Sequence, residues 1–200
     1  MDARNIRLTN FVYQGGDDCI AIKPRSYDID IHNVTCRGGN GIAIGSLGQY
    51  KEDSSVDNVR IDKFNAYIKT WTGVPTPQDS YESAGLPRGG GWGNVSNLIF
   101  SNFEVQGANI GPTINQNQGD NGSYSGTSLM TVSDITFANC TGYVTNEGEV
   151  TSTVTCSENH PCYDIYYDNV VLYQGKNASE PGIGSCKWTT DNGVHGLEGC

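Results

Sequence analysis

Basic residues are scarce in this chain, and almost missing from its second half. Of the twelve Lys and Arg among 200 residues, ten lie within 1–90, and only Lys176 and Lys187 follow. Acidic residues divide evenly, so the first part carries a net charge near −1 and the second near −9. That balance excludes nucleic acid as a partner and directs any acidic ligand to the first half. No apolar run is long enough to span a bilayer, which argues against a membrane partner. No Cys-x-x-Cys or Cys/His spacing resembles a zinc site, so neither a metal nor another cofactor is expected. Good helix formers are few, and a helical fold is not expected. A signal peptide is missing too: Met1 leads straight into Asp2-Ala3-Arg4-Asn5-Ile6, which reads as a strand entrance, as if the chain started within a longer protein.

What is abundant is glycine, at 26 residues, with many Asn, Ser and Thr. That mix suits short strands joined by tight turns. With 36% hydrophobic residues, the chain can bury the core of one domain spanning 1–200. Seven cysteines allow three local pairs, Cys19 with Cys36, Cys156 with Cys162 and Cys186 with Cys200, leaving Cys140 over. The last two pairs make residues 156–200 a disulfide-rich end. Glycosylation sequons start at Asn33, Asn94, Asn121, Asn139 and Asn177. Sequons alongside paired cysteines point to a secreted glycoprotein, and a monomer is expected.

One pattern recurs along the chain. Alternating apolar residues are followed by Asn and another apolar residue in Ile6-Arg7-Leu8-Thr9-Asn10-Phe11 and Ile29-Asp30-Ile31-His32-Asn33-Val34. It returns with Lys63 in the Asn position, and again at Ile99–Phe103, Ile135–Cys140 and Ile165–Val170. Alternation with period two gives strands, and recurrence every few tens of residues gives a solenoid of stacked β-coils. The Asn at each turn is suited to the left-handed backbone region. Residues 72–93, with Pro75, Pro77, Pro87 and Gly89-Gly90-Gly91, read as a surface loop inserted between coils.

The strongest chemical signal is Gln14-Gly15-Gly16-Asp17-Asp18-Cys19. Neighbouring side chains on a regular strand face opposite ways, so two carboxylates can reach one cleft only if the backbone bends. Gly15-Gly16 would permit that. Two adjacent carboxylates offer a candidate acid beside a candidate base, the apparatus of glycoside hydrolysis.

The following coils read Gly39-Asn40-Gly41-Ile42-Ala43-Ile44-Gly45-Ser46 and Tyr67-Ile68-Lys69-Thr70-Trp71. With these three blocks in order, one per coil, the whole chain resembles the polygalacturonase family, glycoside hydrolase family 28. It is most similar to the fungal exopolygalacturonase and exo-rhamnogalacturonase branch. The resemblance implies an all-β, right-handed parallel β-helix and an inverting hydrolase that cleaves terminal galacturonate from polygalacturonan or rhamnogalacturonan. Its partner would be pectin, an acidic plant cell-wall polysaccharide. By the same resemblance Asp17 is the general acid, Asp18 is part of the base that activates water, and Lys69 binds a uronate carboxylate.

Three departures qualify this. The family's Gly-His-Gly is Gly39-Asn40-Gly41, and Asn donates a hydrogen bond but takes up no proton near neutrality. The family's Arg-Ile-Lys is Tyr67-Ile68-Lys69, which replaces a planar cation with a ring suited to an apolar sugar face, as on rhamnose. The family's Asn-Thr-Asp, with a further catalytic carboxylate, has no counterpart in residues 1–16. The expectation is therefore the C-terminal part of a β-helix whose N-terminal coils are missing. A non-catalytic pectin-binding remnant and, more remotely, a pectate lyase are the competing readings. Trp71, Tyr81, Trp92 and Tyr124 are further candidates to line a sugar cleft, and the 72–93 loop to close one end of it.

Overall fold

The computed structural model describes residues 1–37, 40–63, 66–77, 87–119 and 123–200. Its strands are all parallel within three sheets and wind as a right-handed β-helix. The longest sheet has seven strands: β1 (Arg4–Thr9), β4 (Ser26–His32), β7 (Val56–Asp62), β9 (Trp92–Ala108), β11 (Leu129–Val144), β13 (Tyr163–Gln174) and β15 (Val194–His195). Facing it is a six-stranded sheet of β3 (Ile20–Ile22), β6 (Ile42–Leu47), β8 (Ala66–Trp71), β10 (Thr113–Gln118), β12 (Val150–Thr155) and β14 (Ile183–Lys187). A short pair, β2 (Val12–Gln14) and β5 (Thr35–Arg37), forms the third side of the first two coils.

The recurring motif is the seven-stranded sheet. Its inward positions stack in register, with Ile29, Val59, Leu98, Ile135 and Ile165 in one column. Beside them run Ile31, Ile61, Phe100, Phe137 and Tyr167. The rings of Phe100 and Phe137 stack at 5.1 Å, and Tyr167 continues the pile at 5.0 Å. Sequence alignment of the fourth coil on Ile99 is off by one residue. Leu98 takes the inward place and Ile99 points out, 40% exposed. From the six-stranded side Ile44, Ile68, Ile114 and Val154 complete the core. In the first described coil Ile6 is 45% exposed, while its register partner Ile29 is at 6%.

The turn positions of the motif have left-handed backbones: Asn10, Asn33, Lys63, Asn102, Asn139 and Asn169 lie at φ between 49° and 78°. Their side chains form a ladder between coils, with Asn33 donating to Asn10 at 2.6 Å, Asn139 to Asn102 at 3.1 Å and Asn169 to Asn139 at 3.1 Å. A second left-handed column lies five residues earlier at Asn5, Asp28, Asn58, Asn97, Asp134 and Asp164. Asn and Asp accept this region because their short side chains bond locally.

Disulfides join Cys19 to Cys36, Cys156 to Cys162 and Cys186 to Cys200. Cys140 is a buried free thiol whose pKa burial pushes up to about 12, which makes it a packing residue with no nucleophilic role at neutral pH. Of the loop read over 72–93, residues 78–86 lie outside the described residues. Its base is closed by Thr76 and Arg88, which exchange backbone hydrogen bonds at 3.0 and 2.9 Å.

Candidate active site

Asp17 and Asp18 sit in the turn from β2 to β3, on the edge between the short pair and the six-stranded sheet. The next coil pins this turn on both sides. The Gly15 N–H donates to the Arg37 carbonyl at 3.2 Å and the Cys19 N–H to the Gly41 carbonyl at 2.8 Å, while the Cys19–Cys36 disulfide ties the same two coils. Within the turn, the Asp18 N–H donates to Asp17 Oδ1 at 2.7 Å, a local bond that sets one carboxylate against the other's backbone. The role expected of Gly15-Gly16 changes here. Neither has a left-handed backbone; the Tyr13 hydroxyl lies over Gly15, 2.1 Å from where a Cβ would stand, so a side chain there would displace the ring.

Three successive coils converge on Asp18. From the second, Asn40 Nδ2 approaches Asp18 Oδ1 at 3.4 Å; from the third, the Tyr67 hydroxyl donates to the same oxygen. Tyr67 crosses the intervening coil, roughly 10 Å for two strand spacings. The residue in register beneath it is Ala43, which leaves room for the ring. Burial raises the Tyr67 pKa first, and the Asp18 and Asp17 carboxylates raise it further, so the phenol remains a hydrogen-bond donor well above neutrality. Strand alternation puts Ile68 into the core and both Tyr67 and Lys69 outward, where Lys69 Nζ lies 5.0 Å from the Tyr67 ring centroid. Among the described residues Lys69 forms no ion pair. Its charge is thus free for an anionic ligand.

Asn40, Tyr67 and Lys69 line one cleft of about 650 Å³, together with Glu104, Gln106 and Thr113. Sequence reasoning missed the last three. Thr113 was accessible in principle, because it is the register partner of Tyr67 one coil on. Glu104 and Gln106 lie near the end of the 17-residue β9, past the left-handed Asn102, and no spacing rule announces them.

The other described aromatic candidates do not line this cleft. Trp71 is 2% exposed and packs against Gly119, so it belongs to the fold and not to a sugar cleft. Trp92, 55% exposed, opens β9 on the seven-stranded sheet, away from the aspartates. Tyr124 is half-buried in a turn where its carbonyl accepts from Thr127, and Tyr81 lies outside the described residues. Of the sequons, Asn33, Asn94, Asn139 and Asn177 are exposed; Asn121 is outside the described residues.

The sequence signature of the glycosyl hydrolases family 28 matches residues 1–190. The relative named "Putative galacturan 1,4-alpha-galacturonidase C" from Neosartorya fischeri is 70% identical over 211 aligned residues, covering 100% of this chain and 50% of its own length. Exopolygalacturonase X of Aspergillus niger is 36% identical over 179 residues, which is 84% of this chain and 40% of that one. Among solved structures, the endo-xylogalacturonan hydrolase from Aspergillus tubingensis superposes with a TM-score of 0.71 over 98% of this chain and 52% of its own. At 22% identity that likeness speaks to the fold alone. The chain spans about half the length of the curated galacturonidase relatives it matches.

Proposed function

The chain belongs to glycosyl hydrolase family 28, and from that premise we propose that it acts on galacturonan, releasing terminal galacturonate by inverting acid/base hydrolysis. One observation carries the reading: two adjacent carboxylates are fixed at a coil edge, and Asn40 and Tyr67 from the next two coils both aim at Asp18. Asp17, the more exposed, is free to hand a proton to the leaving oxygen. Asp18, oriented by its two donors, helps to draw a proton from the attacking water. Lys69 takes the uronate carboxylate as a point charge, and the Tyr67 ring supports a sugar face. Tyr67 in place of a planar cation favours a non-uronate neighbour on the leaving side, which makes rhamnogalacturonan a substrate beside polygalacturonan. The three disulfides and the exposed sequons fit an extracellular enzyme.

Incubation with oligogalacturonides and with rhamnogalacturonan oligomers tests this, with free galacturonate as the readout. Asp17→Asn and Asp18→Asn should each lower the rate by about 10²–10⁴-fold. No galacturonate from either substrate overturns the proposal. A second reading is binding without turnover by residues 1–200, which hold no Asn-Thr-Asp motif. It requires oligogalacturonide affinity that survives Asp17→Asn and no product from the unmodified chain.

A further inference from the structure

The six strands of the site-bearing sheet contain no Asp or Glu at all, although the chain as a whole has 22. The seven-stranded sheet carries acidic residues on most of its strands. Register then orders what the six-stranded sheet presents outward. Lys69 on β8 is followed by Asn115 on β10, Thr155 on β12 and Lys187 on β14, one straight column across four coils. The neighbouring inward column is Ile68, Ile114 and Val154, all fully buried, so the alternation is unambiguous.

We propose that this column is a track for a polyuronate chain, with Lys187 as a remote carboxylate-binding residue five coils on from the aspartates. The inference rests on the substrate class proposed above and extends it beyond the reacting sugar. Lys69 and Lys187 are separated by three strand spacings, about 14 Å, a distance that an oligosaccharide spans and a single sugar does not. Between them lies a groove of about 470 Å³ whose lining includes Asn115 and Thr155, donors and acceptors for sugar hydroxyls and free of opposing charge.

Lys187 is well placed for this. It is one of two basic residues beyond Arg88, and the other, Lys176, lies in the connection from β13 to β14. Its carbonyl accepts from the Cys156 N–H at 3.0 Å, and two disulfides flank it. Its Nζ rests 3.8 Å from the Trp188 ring centroid and forms no ion pair among the described residues. In the half of the chain with a net charge near −9, a cation without an ion-pair partner, on a sheet whose own strands hold no acid, matches a polyanion.

Calorimetric titration with digalacturonate and hexagalacturonate at one ionic strength decides the matter. Lys187→Gln should weaken hexamer binding about three- to tenfold, the range of a lost charge-assisted contact on a surface, and leave the dimer unchanged. Lys187→Arg should restore most of the loss, and Lys176→Gln should change neither ligand. Thr155→Glu, which sets a like charge in mid-track, should weaken the hexamer further. Far-UV circular dichroism of each variant reports on folding. Hexamer affinity indifferent to Lys187→Gln and Thr155→Glu, equal losses for dimer and hexamer, or no hexamer binding by the unmodified chain overturns the track. Hexamer-selective binding without galacturonate release leaves the track standing and removes the hydrolase reading. Hydrolysis that is blind to residue 187 does the reverse.

Discussion

The two long sheets of this β-helix share one core and present opposite chemistry to solvent. On the seven-stranded sheet, Asp28, Asp30, Asp57, Asp62, Asp134, Asp164 and Asp168 are distributed over its strands with Arg7 and Arg60 among them. Several of these carboxylates are occupied by the fold itself: Asn58 donates to Asp28 at 2.6 Å, Asn97 to Asp57 at 2.7 Å and Asn102 to Asp62 at 2.7 Å. The six-stranded sheet has none of these and offers Thr, Asn, Tyr67, Lys69 and Lys187. The lesson is that net charge misleads in a solenoid. A chain of charge −10 can hold a polyanion, because each coil assigns its residues to separate faces and the strands of one long sheet are left without acids.

The sharpest way to break this comparison is to make the same change on each side. Asp17→Asn at the edge of the six-stranded sheet should cost about 10²–10⁴-fold in galacturonate release. Asp134→Asn on the other sheet should leave release unchanged, since Asn also accepts its left-handed backbone. Equal losses would show that the faces are not functionally distinct. Next in size is the core that both faces stand on. Phe137→Ala, in the middle of the ring stack, should destabilise the chain by about 3–5 kcal/mol in urea titration.

Much of the seven-stranded face could be read from sequence, and the reason is local. Each coil repeats an apolar pair and an Asn, and the Asn adopts the left-handed turn that its side chain favours. The fourth coil was misaligned because Leu98, Ile99 and Phe100 are three apolar residues in a row, where alternation gives no phase. The second left-handed column escaped notice because Asn and Asp share it, so no single letter repeats. At the site, Asp17, Asp18, Asn40, Tyr67 and Lys69 stand out because each coil brings its own motif. That Asn40 and Tyr67 meet on one oxygen of Asp18 is a matter of register and of the small Ala43 between, which only the stacked structure expresses. Trp71 misled for the opposite reason: its motif neighbours Tyr67 and Lys69 face out, but the strand's end turns it into the core.

A pair of phenols sharpens the comparison at a smaller scale. Tyr67 faces the cleft and donates to a carboxylate; Tyr167 lies in the core, and its hydroxyl donates to the Pro112 carbonyl at 3.3 Å. Hydrogen bonds to charged groups are worth about 1.5–3 kcal/mol and neutral ones about 0.5–1.5 kcal/mol. Tyr67→Phe should therefore lower turnover by roughly ten- to a hundredfold with little change in stability. Tyr167→Phe should show as a small loss of stability and none of turnover. The reverse pattern would place Tyr67 in the scaffold.

The smallest effect concerns what each sheet points inward. The six-stranded sheet contributes Ile44, Ile68, Ile114 and Val154, none of which titrates. The seven-stranded sheet contributes Cys140, whose thiol burial raises from 9.0 to about 12. Between those values the folded chain keeps a proton that the unfolded chain has lost, so unfolding releases it. The contribution is present in full below pH 9 and is lost as pH rises towards 12, with a slope of up to about 1.4 kcal/mol per pH unit. Cys140→Ala removes the thiol and leaves a cavity whose cost is the same at every pH. Urea midpoints between pH 8 and pH 11 should then fall less steeply for Cys140→Ala than for the unmodified chain; Tyr167, raised first by burial and then by the Cys140 charge, loses the second cause in the variant and acts in the same direction. Parallel lines would mean that the thiol reaches solvent before the stack opens, and the shared core would be looser on its seven-stranded side.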